Sequence, residues 1–150
     1  MKIRQALKTD FLEIAALDRV AWGQNRNSAF IPDGEHAWRL WVEHALVYCC
    51  VDNDTIIGAV LSFPCLDGQF CLHKVMVDHE HRGRGIGSRL FEEMMSVIDI
   101  KRVPVFLTVD PVNKPAIALY EKWGFSDQEY VKGYYRADED RLVLTRRTRQ

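Results

Sequence analysis

The alternation of apolar and polar residues predicts a chain of mixed helices and strands. Residues 3–6 have the pattern of a short strand, and Asp10 with Glu13 resembles a capping box that begins a helix extending to about Val20. The segment after this helix has the polar composition of a loop. Asp33 is predicted to cap a second helix, whose apolar face consists of Trp38, Trp41, Val42 and Ala45.

Two apolar strands joined by an Asn-Asp turn predict a hairpin over residues 46–63. A third strand is predicted at about 70–77, and a helix follows it because Ile86, Leu90, Phe91, Met94, Met95 and Ile98 recur with helical spacing. A strand at about 103–109, a helix at about 114–122 and two strands at about 128–131 and 141–144 complete the pattern. The sequence therefore predicts an α/β (α+β) fold, and its 150 residues suit a single domain over 1–150.

Composition narrows the function classes without selecting one. With 47% hydrophobic and 27% charged residues the chain is typical of a folded globular protein, and a formal net charge of -1 gives no basic field for nucleic acid. No apolar run reaches the ~18 residues of a membrane span, and the N-terminal segment lacks the apolar core of a signal peptide. We therefore expect a cytoplasmic protein that binds neither nucleic acid nor membrane.

The four cysteines do not have the spacing of a metal site. They lie in apolar, strand-like segments without a CxxC pair, at Cys49, Cys50, Cys65 and Cys71. This pattern predicts reduced core residues and neither disulfides nor zinc ligands. We expect no metal.

Residues 81–90, HRGRGIGSRL, place three glycines on alternate positions where a helix is about to begin. A helix start leaves backbone N–H groups without partners and attracts anions, and glycine lets a phosphate approach the backbone. Arg82 and Arg84 add two cationic donors. A glycine-rich turn with surface arginines is the alternative. The spacing matches neither the GxxxxGK[ST] P-loop nor the GxGxxG dinucleotide fingerprint.

Two motifs together resemble the GNAT superfamily of N-acetyltransferases. Arg82-x-x-Gly85-x-Gly87 resembles its [QR]xxGx[GA] signature, and KVMVDHEHRGRGIG is similar to the fourth strand entering the phosphate loop, with His79 where proline is common. VNKPAIALYEKWGF is similar to a second family motif, and GYYRADEDRLVL resembles the protein N-terminal acetyltransferases. The resemblance covers nearly the whole chain. It implies a mixed, mostly antiparallel sheet of about seven strands with about four helices and splayed strands 4 and 5.

The resemblance also implies acetyl-coenzyme A (acetyl-CoA) as cofactor and names the residues that would hold it. The strand end would offer backbone groups to the pantetheine arm, and the loop would hold the pyrophosphate. Asn113 would contact the cofactor, and an N-cap role is its structural alternative. The set implied is Val75, Met76, Val77, Arg82, Gly83, Arg84, Gly85, Ile86, Gly87, Ser88, Asn113 and Tyr120.

By the family pattern Tyr120 is the general acid that protonates the departing thiolate, and a packed helix tyrosine is the alternative. Many family members have a glutamate in the fourth strand, but QFCLHKVMV has none. His73 is the candidate base, because histidine titrates in the useful range and arylalkylamine-type members carry histidines at matching positions. Glu35, Asp54 and ordered water remain alternative proton acceptors, and a satisfied strand histidine is the structural alternative.

The sequence indicates which residues would border the acceptor but does not identify the acceptor. Tyr134 and Tyr135 would border it, Trp22 and Phe30 in the first inter-helix loop would line its other side, and Glu35 would attract a cation. The resemblance implies direct acetyl transfer through a ternary complex to a primary amine. A peptide N-terminus and a small amine such as a polyamine, arylalkylamine or aminoglycoside both remain open. The alternatives are a non-catalytic CoA-binding regulatory module and a generic nucleotide-binding domain; a monomer or homodimer is expected.

Overall fold

The computed structural model describes residues 1–24 and 31–147. Within these ranges the chain forms seven strands and four α-helices, with short 3-10 turns at Lys8–Asp10 and His79–His81. The elements are β1 (Lys2–Gln5), α1 (Phe11–Gln24), α2 (Glu35–His44), β2 (Leu46–Asp52), β3 (Thr55–Pro64), β4 (Phe70–Val77), α3 (Ile86–Lys101), β5 (Val105–Val109), α4 (Lys114–Lys122), β6 (Asp127–Val131) and β7 (Arg141–Arg146).

The strands form one sheet in the order β1-β2-β3-β4-β5-β7-β6. β1 with β2, β2 with β3, β5 with β7 and β6 with β7 pair antiparallel, whereas β4 and β5 are parallel. The β4–β5 register covers only Phe70 with Val105 and Cys71 with Phe106 among the described residues. The predicted fold class, with its splayed fourth and fifth strands, is therefore confirmed.

The chain divides into two units, residues 1–63 with 73–97 and residues 64–72 with 98 onward. In the first unit, α1 and α2 pack on the strands through a shared apolar cluster that includes Ile14, Trp38, Val47, Leu61 and Met76. In the second unit, β5, β7 and β6 form the antiparallel part that Phe70 and Cys71 extend. That residues 1–150 make a single domain stays a prediction.

The predicted hairpin is confirmed, together with its turn. Asn53 and Asp54 connect β2 to β3 with φ angles of 49° and 62°, both in the left-handed region. Two such residues make the turn whose twist matches antiparallel strands, and asparagine and aspartate tolerate it better than most residues. The apolar stripe predicted for α3 is also buried, from Ile86 to Ile98.

The capping box predicted for the first helix is wrong. Asp10 accepts the backbone N–H of Leu7 at 2.7 Å within the 3-10 turn that precedes α1. Glu13 instead accepts the backbone N–H of Ile56 at 3.1 Å, across to β3. α1 also extends past Val20 to Gln24. A donor brought from a distant strand has taken the carboxylate that the local pattern assigned to the helix start.

Asp33 does not cap the second helix either. The N-cap of α2 is Gly34, and no side chain caps it. The Asp33 carboxylate lies 3.0 Å from His73 Nε2 and 2.8 Å from Lys74 Nζ. A bond from the Lys74 ammonium is stronger than a bond from a neutral amide, so the tertiary partners prevail over the cap.

None of the four cysteines forms a disulfide, as predicted. Cys49, Cys50 and Cys71 are buried, and burial raises the pKa of Cys49 to about 11 and that of Cys71 to about 12. Cys65 was predicted to be a core residue, but it follows β3 and is half-buried. Separately, among residues 1–24 and 31–147 no helix has both the length and the apolar character required to cross a membrane.

Candidate functional site

The loop from Arg82 to Gly85 joins the 3-10 turn after β4 to the start of α3. Gly83 and Gly85 have φ angles of 80° and 75°, which side-chain-bearing residues adopt only with strain, and no heavy atom lies within 4 Å of a Cβ built on either. Arg82 and Arg84 are exposed beside them. Open space over the backbone, two guanidinium groups and a helix start fit a diphosphate.

The first turn of α3 begins directly after Gly85. The Gly85 carbonyl accepts the N–H of Arg89 at 3.1 Å, so Gly85 precedes the helix and residues 86–88 supply its unpaired first-turn amides. Ile86 is buried and fixes the helix start, so its backbone alone can serve a ligand. A Cβ on Gly87 would lie 3.7 Å from the side chain of Val77, which is ordinary contact. Ser88 is half-buried.

The last residues of β4 run up to this loop. Val75 and Val77 are half-buried and flank Gly87, whereas Met76 is buried in the apolar cluster. The Arg82 Nε donates to the Val77 carbonyl at 3.5 Å, and the N–H of Asp78 donates to Ile57 at 2.7 Å. The end of β4 is thus tied to both its neighbouring strand and the loop.

Asn113 begins α4 as its N-cap. Its Oδ1 accepts the N–H of Ala116 at 3.3 Å, and Pro115 stands in the first turn, where a missing N–H costs little. The structural alternative considered from the sequence is therefore present. A contact between Asn113 and the cofactor stays a prediction.

Tyr120 is held by the way in which α4 ends. Gly124 has a φ angle of 97°, its N–H donates to Glu121, and the N–H of Phe125 donates to the Tyr120 carbonyl at 3.0 Å. These two bonds make a Schellman motif, in which an apolar residue after the glycine packs on the helix's last turn. The rings of Phe125 and Tyr120 meet edge to face with centroids 6.2 Å apart. The Gly-Phe pair of the sequence motif therefore positions the tyrosine.

Burial raises the pKa of Tyr120 above its ordinary value near 10. The phenol is then protonated at neutral pH and can donate a proton. The ring of Trp123, 6.1 Å away, packs beside it. An acid kept in its protonated form among apolar rings is what the family role requires.

His73 lies in an aromatic cluster on the first unit. Its ring centroid is 5.3 Å from that of Trp41 and 5.8 Å from that of Phe63, and its side chain is 35% exposed. Alternation along β4 predicts that His73 shares a face with Val75 and Val77. Its described neighbours come from α2, from β3 and from Asp33 in the segment before α2, and the shared face stays a prediction.

Next to His73 lies a buried ion cluster that was not predicted from the sequence. Lys74 is buried, and its Nζ donates to both carboxylate oxygens of Asp18, at 2.9 and 2.7 Å, and to the Ile31 carbonyl at 3.0 Å. Asp18 is 0% exposed and also accepts the Trp38 Nε1–H at 3.0 Å. With Asp33 these residues form one network, which we call the Asp18–Lys74–Asp33 cluster.

A sequence signal for this cluster existed. Asp18 occupies an apolar phase of α1, seven residues after Phe11, four after Ile14 and three after Ala15. Lys74 stands within the apolar run FCLHKVMV. A charged residue in each of two core-facing positions requires an opposite charge nearby, because an unpaired buried charge is too costly.

Tyr134 and Tyr135 lie on the connection between β6 and β7 in the second unit. Their rings meet edge to face at 4.7 Å, and the Tyr135 hydroxyl lies 2.9 Å from the Thr108 hydroxyl. The Arg141 guanidinium stands over the Tyr135 ring at 5.1 Å. The connection is fixed by Asp140, which accepts from the hydroxyl of Tyr130 and from the N–H of Gly133. The pair is exposed and held in place, as a binding surface requires.

Three other residues were predicted to contact the acceptor. Trp22 is exposed and belongs to the last turn of α1, not to the inter-helix loop as predicted. Glu35 is the first residue of α2 and is exposed. Phe30 lies outside the described residues. The first unit thus carries His73 and the phosphate loop, and the second carries Asn113, Tyr120 and the tyrosine pair.

No group of three or more His, Cys, Asp or Glu side chains in the described part of the chain is arranged to hold a metal ion.

Comparison with known proteins gives a family match across most of the chain. A model described as "Acetyltransferase (GNAT) family" matches residues 10–125. A curated relative named N-alpha-acetyltransferase, from Saccharolobus solfataricus, is 27% identical over 96% of this chain and 91% of its own length.

Solved structures share the fold at lower identity. The ribosomal-protein-S18-alanine N-acetyltransferase of Escherichia coli is similar with a TM-score of 0.80 and 23% identity, covering 97% of this chain and 92% of that one. An aminoglycoside 6'-acetyltransferase type Ii has a TM-score of 0.78 and 16% identity, covering 98% of this chain and 97% of that one. Because one of these proteins is named for a protein acceptor and the other for a small molecule, the fold alone does not select the acceptor.

Proposed function

Since the chain belongs to the acetyltransferase (GNAT) family and is an acetyl-CoA-dependent N-acetyltransferase, we propose that its acceptor is the α-amino group at the N-terminus of a polypeptide. The observation that carries the proposal is the similarity to the N-alpha-acetyltransferase of Saccharolobus solfataricus across nearly the full length of both chains. The tyrosine pair of the β6–β7 connection supports it, because two fixed, exposed phenols suit an extended peptide.

The phosphate loop is the proposed site for the pyrophosphate of acetyl-CoA. The first-turn amides of α3 and the guanidinium groups of Arg82 and Arg84 would hold its charge, and Gly83 and Gly85 keep side chains out of the way. Backbone groups of Val75–Val77 would pair with the pantetheine arm, as a strand added to a sheet edge does. The cofactor supplies an acetyl group activated as a thioester.

His73 and Tyr120 are the proposed proton-transfer groups. A primary amine is mostly protonated near neutral pH and cannot attack until it loses a proton, so His73 first takes up that proton. The neutral amine nitrogen then bonds to the acetyl carbon. As the carbon–sulfur bond breaks, Tyr120 gives its phenolic proton to the sulfur, which leaves as a thiol. The nitrogen gives its second proton to the Tyr120 phenolate and ends as an amide, and His73 releases its proton to solvent.

The acceptor class is tested with purified protein, acetyl-CoA and a matched panel. The panel contains short peptides with free N-termini, the same peptides with blocked N-termini, spermidine, tryptamine and an aminoglycoside, with thiol release and product mass as readouts. We expect acetylation of free peptides at the α-amine and none of the blocked set. Turnover confined to the small amines would refute a peptide acceptor while leaving the transferase chemistry intact.

The two proton-transfer roles are tested separately. Tyr120→Phe should lower kcat about 10²-fold or more at saturating acetyl-CoA. Tyr48→Phe, which removes a phenolic hydroxyl from β2, is the control and should leave kcat unchanged. His73→Ala should remove the acidic limb of the pH–rate profile, and His44→Ala on α2 should leave it. An unchanged limb would point to a carboxylate or water as the base.

We also propose a cytoplasmic location and a monomeric or homodimeric state. Four cysteines without a disulfide support a reducing compartment. Light scattering on the purified protein and fractionation of cells that express it at native levels test the two proposals.

A further inference from the structure

We propose that Asp33 is a positioning residue that fixes the tautomer of His73, so that Nδ1 is the ring nitrogen that accepts the proton from the acceptor amine. The contact that carries the proposal is the 3.0 Å approach of His73 Nε2 to Asp33 Oδ2. The inference rests on the proposed function, because it refines the role given there to His73.

The direction of this hydrogen bond follows from the charge state of Asp33. Burial acts to raise the pKa of Asp33, but hydrogen bonds from His73 and Lys74 outweigh it and hold the pKa below its usual value. At neutral pH the group is a carboxylate, which only accepts hydrogen bonds. His73 Nε2 must therefore carry a hydrogen, and the neutral ring has its lone pair on Nδ1.

Asp33 is suited to this role because it is held at both ends. Its backbone N–H donates to Asp18 Oδ2 at 2.9 Å, and its carboxylate Oδ2 accepts from Lys74 Nζ at 2.8 Å. Lys74 in turn donates to both oxygens of Asp18. The Asp18–Lys74–Asp33 cluster is thus a closed ring of hydrogen bonds, and rotating the Asp33 carboxylate away would break at least one buried charge contact.

The plane of the His73 ring is restricted as well. Trp41 and Phe63 contact the ring in tilted and edge-to-face arrangements, at centroid distances of 5.3 and 5.8 Å and interplanar angles of 59° and 60°. Their own rings are parallel to within 2°. With one nitrogen held by a carboxylate and two aromatic rings packed against the ring, the imidazole has one nitrogen left for the acceptor. A base held in one orientation removes an entropic cost from the proton transfer.

The lysine explains why the carboxylate is ordered and not merely close. Asp33 is only partly buried, with 26% of its side chain exposed, and an exposed carboxylate would rotate among water partners. Lys74, with 6% exposure, brings a buried charge to the same oxygen. The charge that orients Asp33 therefore comes from the protein interior, and water does not compete for it.

The test is nitrogen-15 NMR of the histidine ring, with the His73→Gln spectrum used to assign the signals. With the imidazole neutral, the wild-type protein should show Nε2 protonated and Nδ1 unprotonated, and Asp33→Ala should show a mixture of tautomers. Asp33→Ala should also lower kcat about tenfold or more, with the KM for acetyl-CoA changed less than about twofold. Glu92→Gln, an exposed acid on α3, is the control for charge removal.

A wild-type ring protonated on Nδ1, or an Asp33→Ala ring with the wild-type tautomer, would overturn the proposal. A changed tautomer with unchanged kcat would separate the two claims: it would leave Asp33 as the residue that orients the ring and refute His73 as the base. Loss of acetyl-CoA binding in Asp33→Ala, read from its KM, would show that the substitution acts on the cofactor site and would also overturn the proposal.

Discussion

Replacing Lys74 by methionine should cost several kcal/mol of folding stability, because it removes the cation from the Asp18–Lys74–Asp33 cluster and leaves both carboxylates. Methionine keeps the length and most of the volume of the lysine stem, so the change removes mainly charge and hydrogen-bond donors. Asp18, at 0% exposure, would then have only the neutral donors of Asp33 and Trp38 among its described contacts.

The magnitude follows from the burial of the pair. Removing one partner of a buried ion pair costs about 3–5 kcal/mol, because the remaining charge has neither water nor an opposite charge. Asp18→Asn should cost less, about 1.5–3 kcal/mol, since Lys74 keeps the Asp33 carboxylate and the Ile31 carbonyl. The double variant loses both charges together and should cost less than the sum, with a coupling energy of about 0.5–3 kcal/mol.

Urea unfolding followed by far-ultraviolet circular dichroism gives these values at pH 7. A loss of 3–5 kcal/mol moves the midpoint by roughly 2 M, given a slope of about 1–3 kcal/mol/M. Lys8→Met is the matched control, because Lys8 is 63% exposed and its pair with Glu43 lies on the surface. That control should change stability by less than about 1 kcal/mol. If Lys74→Met does not fold, Asp18→Asn supplies the milder measurement.

A cost below about 1 kcal/mol for Lys74→Met would refute the reasoning, since a surface pair loses no more than that. Strict additivity in the double variant would refute it in a second way. Two residues joined by hydrogen bonds of 2.7 and 2.9 Å must couple if the cluster exists in solution.

Three further predictions concern other parts of the chain. Gly85→Ala should weaken CoA binding and cost about 1–2 kcal/mol of stability, because Gly85 has a positive φ. Gly87→Ala should change both quantities little, because Gly87 has a helical backbone and a Cβ there would lie 3.7 Å from its nearest neighbour. Titration calorimetry compares CoA binding in the two variants, and urea unfolding compares their stability. Burial acts to raise the pKa of Asp10, but hydrogen bonds from Arg4 and a backbone N–H lower it, so its contribution to stability is complete above the unfolded pKa near 4 and is lost as pH falls through the folded value. The stability difference between Asp10→Asn and wild type should therefore shrink below about pH 4. Cys71, with a pKa of about 12, should resist iodoacetamide at pH 8 in the folded protein and react once urea unfolds it, as mass spectrometry will show.

Local patterns predicted the elements whose causes are local. The Asn53-Asp54 turn follows from the residues that tolerate positive φ, and the spacing of apolar residues from Ile86 to Ile98 defines one face of α3. The glycine loop and Tyr120 were predicted to be functional from short stretches of sequence, and their roles stay predictions. Asn113 was predicted with two roles, and the structure shows the cap.

Features whose causes are distant in sequence were not predictable in the same way. Glu13 and Asp33 each stand where a helix cap is expected. The carboxylate of Glu13 instead binds a residue 43 positions away along the chain, and that of Asp33 binds His73, 40 positions away. The ion-pair partners of Lys74 could not be predicted from its neighbours in sequence, because they come from α1 and from the segment before α2. Charged residues in core-facing positions are the signal that marks such clusters, yet the sequence does not say which acid meets which base.

The Schellman motif after α4 has a consequence for how this chain can change in evolution. Tyr120 is tied to Phe125 through a backbone bond, which depends on the φ angle of 97° at Gly124 and not on the side chains between. The exposed residues Glu121 and Lys122 are therefore open to drift, whereas a side chain at Gly124 would strain the backbone that holds the tyrosine. Selection on the reaction thus falls on a glycine that has no functional group of its own.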